Sequence, residues 1–204
     1  MTAQPVTTDR WDLPKPPFTV DTLYDLPESD LRYEVLGGNL VLAPTPTFAH
    51  NLTADRIREA LMPLLPKDVE AVTAMAVRMP NGDGPVPDLV ITTADTREPK
   101  GLPIEKVHTV VEVVSPSSTK TDREFKTELY GSAGIPCYWR VELRGWKSHL
   151  GPVPAIVVRF FDRRLTTEHL FAAGEEHEIP LVIGPNMHVI TALFDPAVLV
   201  GPRR

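Results

Sequence analysis

Glu112 stands in the middle of a valine run, Val110-Val111-Glu112-Val113-Val114. A carboxylate in an apolar strand is costly unless a metal, a cation or a set of hydrogen-bond donors replaces the lost water. Two more carboxylates share that setting. Asp88 follows Pro87 and precedes Leu89-Val90-Ile91, and Glu34 lies within Tyr33-Glu34-Val35-Leu36. If the strands carrying Asp88 and Glu112 are neighbours, the two side chains converge on one point. Carboxylate oxygens, with a backbone carbonyl and waters, are the donors that Mg²⁺ takes in near-octahedral geometry. Downstream, Asp122, Lys126 and Tyr130 are spaced i, i+4, i+8 and share one helix face. A lysine beside a metal site can orient or deprotonate a water, or stabilise charge building on a phosphate.

Each of these residues also has a purely structural reading. Glu112 could pair with a lysine or arginine, Asp88 could serve a turn after Pro87, and Glu34 could make a cross-strand ion pair. Lys126 could be solvated, Asp122 could favour the first turn of a helix, Tyr130 could simply pack, and His50 could sit in a helix's first turn. Other chemistries are poorly served. His108, His149, His169, His177 and His188 lack zinc-ligand spacing. There is no Ser-His-Asp or Cys-His-Asn order, no Walker A loop and no dinucleotide glycine fingerprint.

The elements that would position these residues follow from periodicity. Gly37-Gly38 between the apolar runs of 31–44 predicts a tight hairpin. Residues 47–65 carry apolar side chains at near-helical spacing, ending before Pro66. Strands are predicted at 70–79, 86–93, 109–115, 136–143 and 156–162, with short strands and an acidic loop between 166 and 181. A helix is predicted over 117–132, with Thr119 and Asp122 at capping spacing and Phe125 and Leu129 as an apolar pair. TALFDPAVL (191–199) reads as a short helix, as does Thr19–Pro27 with Leu23 and Leu26 inward. Residues 1–24 read as an N-terminal proline-rich arm and 25–204 as a single domain. The element order is that of a mixed α/β or α+β fold.

Bulk composition narrows the class. The 204 residues are 42% apolar and 24% charged, with 22 prolines, which implies many turns and stiff loops. Net charge is −6 and the pI is about 5.5, against a nonspecific nucleic-acid coat. A local basic patch remains open, from Arg140, Arg144, Lys147, Arg159, Arg163 and Arg164. The single cysteine, Cys137, forms no internal disulfide and reads as a small buried strand residue; this fits a reducing cytoplasm. No apolar run approaches the roughly 20 residues that span a bilayer, and the N-terminus lacks the apolar core of a secretory signal.

Taken in order, YEVLGGNLVLAPTP, His50 opening a helix, PDLVI, VEVVSPSS, D-x3-K-x3-Y and GIPCYWRVE resemble the Uma2 (DUF820) family. The resemblance covers about residues 25–145, and more weakly TALFDP. It implies a restriction-endonuclease-like PD-(D/E)xK core: a mixed central sheet flanked by helices, with an N-terminal hairpin. It implies a Mg²⁺-dependent endonuclease, with Mn²⁺ as substitute, that hydrolyses DNA phosphodiester bonds by metal-assisted water attack. Asp88, Glu112 and the Val113 carbonyl map to the metal site, Glu34 and Lys126 to catalysis, and His50, Asp122 and Tyr130 to supporting positions. A homodimer would suit cutting both strands of a duplex. The chain departs from the pattern at Val114, where the nuclease signature places lysine, at Cys137, at Glu142 and in the inserted segment Arg144–Pro154. The acidic pI and the unusual lysine position keep a second reading open, a nuclease-fold module that binds nucleic acid or protein without cutting.

Overall fold

The valine-rich segment becomes an eight-residue strand that is buried along its whole length. The computed structural model describes residues 15–27, 31–95, 97, 100–116, 120–161, 166–184 and 186–201. A short helix, α1 (Val20–Asp25), precedes the hairpin β1 (Arg32–Leu36) and β2 (Asn39–Ala43), and α2 (Phe48–Leu61) follows. Then come β3 (Glu70–Thr73), β4 (Val77–Arg78), β5 (Leu89–Thr92), β6 (Leu102–Pro103) and β7 (Val107–Val114). A π-helical turn, Thr121–Phe125, runs into α3 (Lys126–Ser132). The chain closes with β8 (Cys137–Glu142), β9 (Ala155–Phe161), β10 (Thr166–Ala172), β11 (His177–Ile183), β12 (His188–Phe194) and a 3-10 turn, Pro196–Leu199.

Six strands form the central sheet in the order β10-β9-β8-β7-β5-β3. Within this sheet only β7 and β8 are parallel, and the π-helical turn and α3 lie in the crossover that a parallel pair requires. Every residue of β7 is buried, as expected for a central strand covered on both faces. Period-two alternation assigns its side chains. Val111 and Val113 enter one core with Ile57 and Leu61 of α2, Trp139 of β8 and Leu181 of β11. Val110 enters the other with Leu129 and Tyr130 of α3 and Tyr138 of β8. Glu112 therefore points to the α3 face.

The hairpin is a separate two-stranded unit, and its turn uses both glycines at positive φ, +59° and +69°. Backbone bonds between Val35 and Gly84, 2.9 and 3.1 Å, pin it to the loop before β5. Asp83 accepts from the amides of Gly37 and Gly38 at 2.8 and 2.9 Å.

Several expectations change. The strand expected over 70–79 breaks after Thr73, where Ala74 takes φ +51°; Val77 and Arg78 pair instead with β6. The segment 191–194 is strand, not helix, because β12 pairs with β11 along its whole length. Helical structure starts only at Pro196, capped by Asp195 Oδ1 accepting from the Ala197 amide at 2.8 Å. In α1 the buried residues are Val20 and Thr22; Leu23 and Leu26 are half-buried. Thr119, expected to cap the helix over 117–132, lies outside the described residues. No helix among the described residues is long and apolar enough to cross a membrane.

Candidate active site

Strand register brings the first two carboxylates together. β5 runs antiparallel to β7 with Leu89 opposite Val111, and one further step sets Asp88 opposite Glu112 on the same face. Asp88 Oδ2 accepts from the Val113 amide at 2.8 Å. His50 lies in the first turn of α2, whose N-cap Thr47 accepts from the His50 amide at 3.3 Å. That places His50 Nε2 at 3.1 Å from the same Asp88 oxygen. Glu34 comes from the hairpin, and its Oε1 accepts from the Val86 amide at 2.9 Å.

Lys126 joins them. Its Nζ lies 2.9 Å from Glu34 Oε1, 2.8 Å from Glu112 Oε1 and 3.8 Å from Asp122 Oδ1. The Tyr130 hydroxyl donates to Glu112 Oε1 at 2.6 Å. Glu34, His50, Asp88, Glu112, Asp122 and Lys126 line one cavity of about 240 Å³, with Val113 in its wall. The Val113 side chain belongs to the opposite core, so Val113 meets the cavity through its backbone, with its amide on Asp88.

The π-helical turn sets the directions of the crossover side chains. The Lys126 amide bonds the Thr121 carbonyl, five residues back, and such bulges recur at functional sites. The Asp122 carbonyl is taken by the Tyr138 hydroxyl at 2.9 Å and by Thr127 Oγ1 at 3.3 Å. Asp122 and Lys126 are buried, 2% and 5% exposed. Arg123 turns aside to Glu142, donating to both carboxylate oxygens at 2.7 Å.

Burial shifts the protonation equilibria. Burial pushes the Glu112 carboxyl well up; the Lys126 ammonium opposes this, and the Asp88, Asp122 and Glu34 charges add to it. For Lys126, burial works downward, but Glu112, Glu34 and Asp122 outweigh it and hold the amine well above its ordinary value. The surrounding carboxylates thus favour the charged form of Lys126. For His50 burial again works downward, and the Asp88 carboxylate reverses the sign and raises the value.

The donor set fits a hard divalent cation. Carboxylates of Glu34, Asp88, Glu112 and Asp122 line the cavity beside the basic side chains of Arg32, His50 and Lys126, and carboxylate oxygens are the donors that Mg²⁺ and Mn²⁺ select. Among the described residues, however, no three His, Cys, Asp or Glu side chains already converge as ligands. The Lys126 ammonium occupies the space between Glu34 and Glu112.

Of the residues expected in a basic patch, Arg140 is buried and pairs with Glu142 at 2.9 Å, Arg159 pairs with Glu168, Arg144 and Lys147 are exposed, and Arg163 and Arg164 lie outside the described residues. Both the Arg123 and Arg140 guanidiniums stand 5.7 Å from the Trp146 ring centre, so the inserted segment braces the π-helical turn. Sequence reasoning missed this clamp and Asp83. Their only signals were an acid at the end of a strand, Glu142, and an acid in the turn cluster PNGDG.

The Uma2 family model, described as "Putative restriction endonuclease", matches residues 20–159. Among solved structures, one of "a putative nuclease belonging to DUF820 from Anabaena variabilis ATCC 29413" superposes with a TM-score of 0.61 at 17% identity. The match covers 90% of this chain and 98% of that one. At this identity the likeness is one of fold, a mixed α/β nuclease-like architecture. No curated protein matches.

Proposed function

The chain belongs to the Uma2 family, described as "Putative restriction endonuclease", and on that premise we propose that it hydrolyses DNA phosphodiester bonds with a bound divalent cation, Mg²⁺ or Mn²⁺. The observation that carries this reading is the convergence of Glu34, Asp88 and Glu112, from three separate strand segments, on one cavity with the Lys126 ammonium among them.

In this reading Asp88 and Glu112, with the Val113 backbone, hold the cation. When bound, it supplies Lewis acidity to a phosphoryl oxygen and lowers the pKa of a water. The protein's own residues do the positioning. His50 Nε2 and the Val113 amide fix Asp88, and Tyr130 fixes Glu112. Lys126 offers its charge to the phosphate as negative charge builds there. Glu34 is the proton acceptor for the attacking water, and its Oε1 bond to the Val86 amide holds its orientation.

A second reading is favoured by the position of Lys126. An ammonium already bridging Glu34 and Glu112 makes a closed ion-pair network, as a non-cutting binding module would have. Cleavage assays with Mg²⁺ or Mn²⁺ on plasmid and single-stranded DNA decide between them, with Asp88→Ala and Glu112→Ala as controls. The nuclease reading expects cation-dependent cleavage lost in both variants. Absence of cleavage on every substrate, with no divalent cation bound in calorimetry, would leave the binding module.

A further inference from the structure

A second recess opens beside the carboxylate cavity. It has a volume of about 460 Å³ and shares the walls Leu36, Val41 and Thr121 with that cavity. Phe125, from the last position of the π-helical turn, forms its far side. Phe125 is 41% exposed and Val41 39%. A half-exposed ring at the edge of a site offers a flat apolar face on which a planar partner can stack. Glu124, Glu128 and Lys120 stand around the recess, and two acids to one base make a poor seat for a phosphate.

Resting on the nuclease reading above, we propose that this recess receives the base of an unstacked nucleotide adjoining the scissile phosphate, its face against Phe125. The substrate is then single-stranded or locally unpaired nucleic acid. In a duplex the base faces are stacked on one another and only edges reach the grooves. A face becomes available to an aromatic side chain once the base leaves the stack. Adjacency supplies the geometry: the two cavities share Leu36, Val41 and Thr121, so a strand whose phosphate enters the first can extend its neighbouring base toward Phe125 in the second. The Glu124 and Glu128 charges repel the duplex backbone on this side and leave an uncharged base unopposed.

The test is equilibrium binding of a short labelled single strand, the same strand with one abasic site, and its duplex, with Ca²⁺ as the cation. Wild type should bind the single strand at least about tenfold more tightly than the duplex. Phe125→Ala should lose about tenfold on the single strand and leave the duplex unchanged. Phe125→Trp should restore binding, and an abasic site in the right register should mimic Phe125→Ala. Equal binding of single strand and duplex, or an unaffected Phe125→Ala, overturns the proposal while cation-dependent cleavage keeps the nuclease reading. Failure to bind any nucleic acid overturns both. A wild-type dimer that Phe125→Ala converts to monomer in sedimentation also overturns it, because a second copy would then cover the recess.

Discussion

Lys126 Nζ and Glu112 Oε1 stand 2.8 Å apart in the protein interior, and the same oxygen accepts the Tyr130 hydroxyl. Lys126→Met would leave Glu112, Glu34 and Asp122 without their ammonium. Breaking a buried pair from one side costs about 3–5 kcal/mol, read by urea unfolding. Mg²⁺ or Mn²⁺ should then raise the Tm of the variant more than that of the wild type. A variant as stable as wild type without added cation would show that the pair does not hold the site.

Tyr130→Phe tests positioning. It removes one hydrogen bond to a charged group, about 1.5–3 kcal/mol, and keeps the edge-on packing against Tyr138. The expected result is a lower kcat with unchanged KM, because Glu112 loses its orientation while the substrate surface stays intact. Unchanged kcat and unchanged stability would remove Tyr130 from the site.

Glu142→Gln should loosen the π-helical turn. Arg123 would lose its charged acceptor and Arg140 its buried counter-charge. Allowing for the 25% exposure of the Arg123 side chain, the cost is about 2 kcal/mol. Amide exchange at 121–126 should accelerate more than in β9; uniform acceleration would mean that Glu142 acts only on global stability.

Asp83→Ala should act at a distance. The amides of Gly37 and Gly38 lose their acceptor, at about 1–3 kcal/mol. Since the hairpin carries Glu34, the proposed proton acceptor, kcat for cleavage should also fall. Stability loss with wild-type kcat would separate the hairpin from the site.

Alkaline pH should unfold the protein through three buried groups. Burial pushes the Cys137 thiol from its ordinary 9.0 up to about 12, and raises Tyr130 and Tyr138 well above 10.0. Folded values above the unfolded ones give stability that is complete below the unfolded pKa and lost as pH rises toward the folded one. The Tm should therefore fall as pH climbs beyond about 9, with Cys137 resisting alkylation until the chain unfolds. Native-state alkylation at mildly alkaline pH would contradict this.

Much of the fold was legible because its causes are local. The valine run marks a central strand by composition, Gly37-Gly38 marks a hairpin because both turn positions need positive φ, and the Uma2 motifs cover most of the elements around the cavity. The same alternation that buries the valines selects the face on which Glu112 must lie. The misread TALF had no local marker. Its residues suit a helix or a strand, and pairing with β11 decides between them.

By itself, then, the sequence determined which carboxylates were out of place among apolar neighbours, and that Lys126 follows on a helix. Tertiary structure alone decided that they meet. Glu34 reaches Lys126 only because Val35 docks on Gly84, and Asp88 reaches Glu112 only through the β5–β7 register. The π-helical turn depends on Tyr138, in another strand, capturing the Asp122 carbonyl. Hydrogen bonds between distant segments carry no periodic signature, so where charges converge is a property of the packed chain.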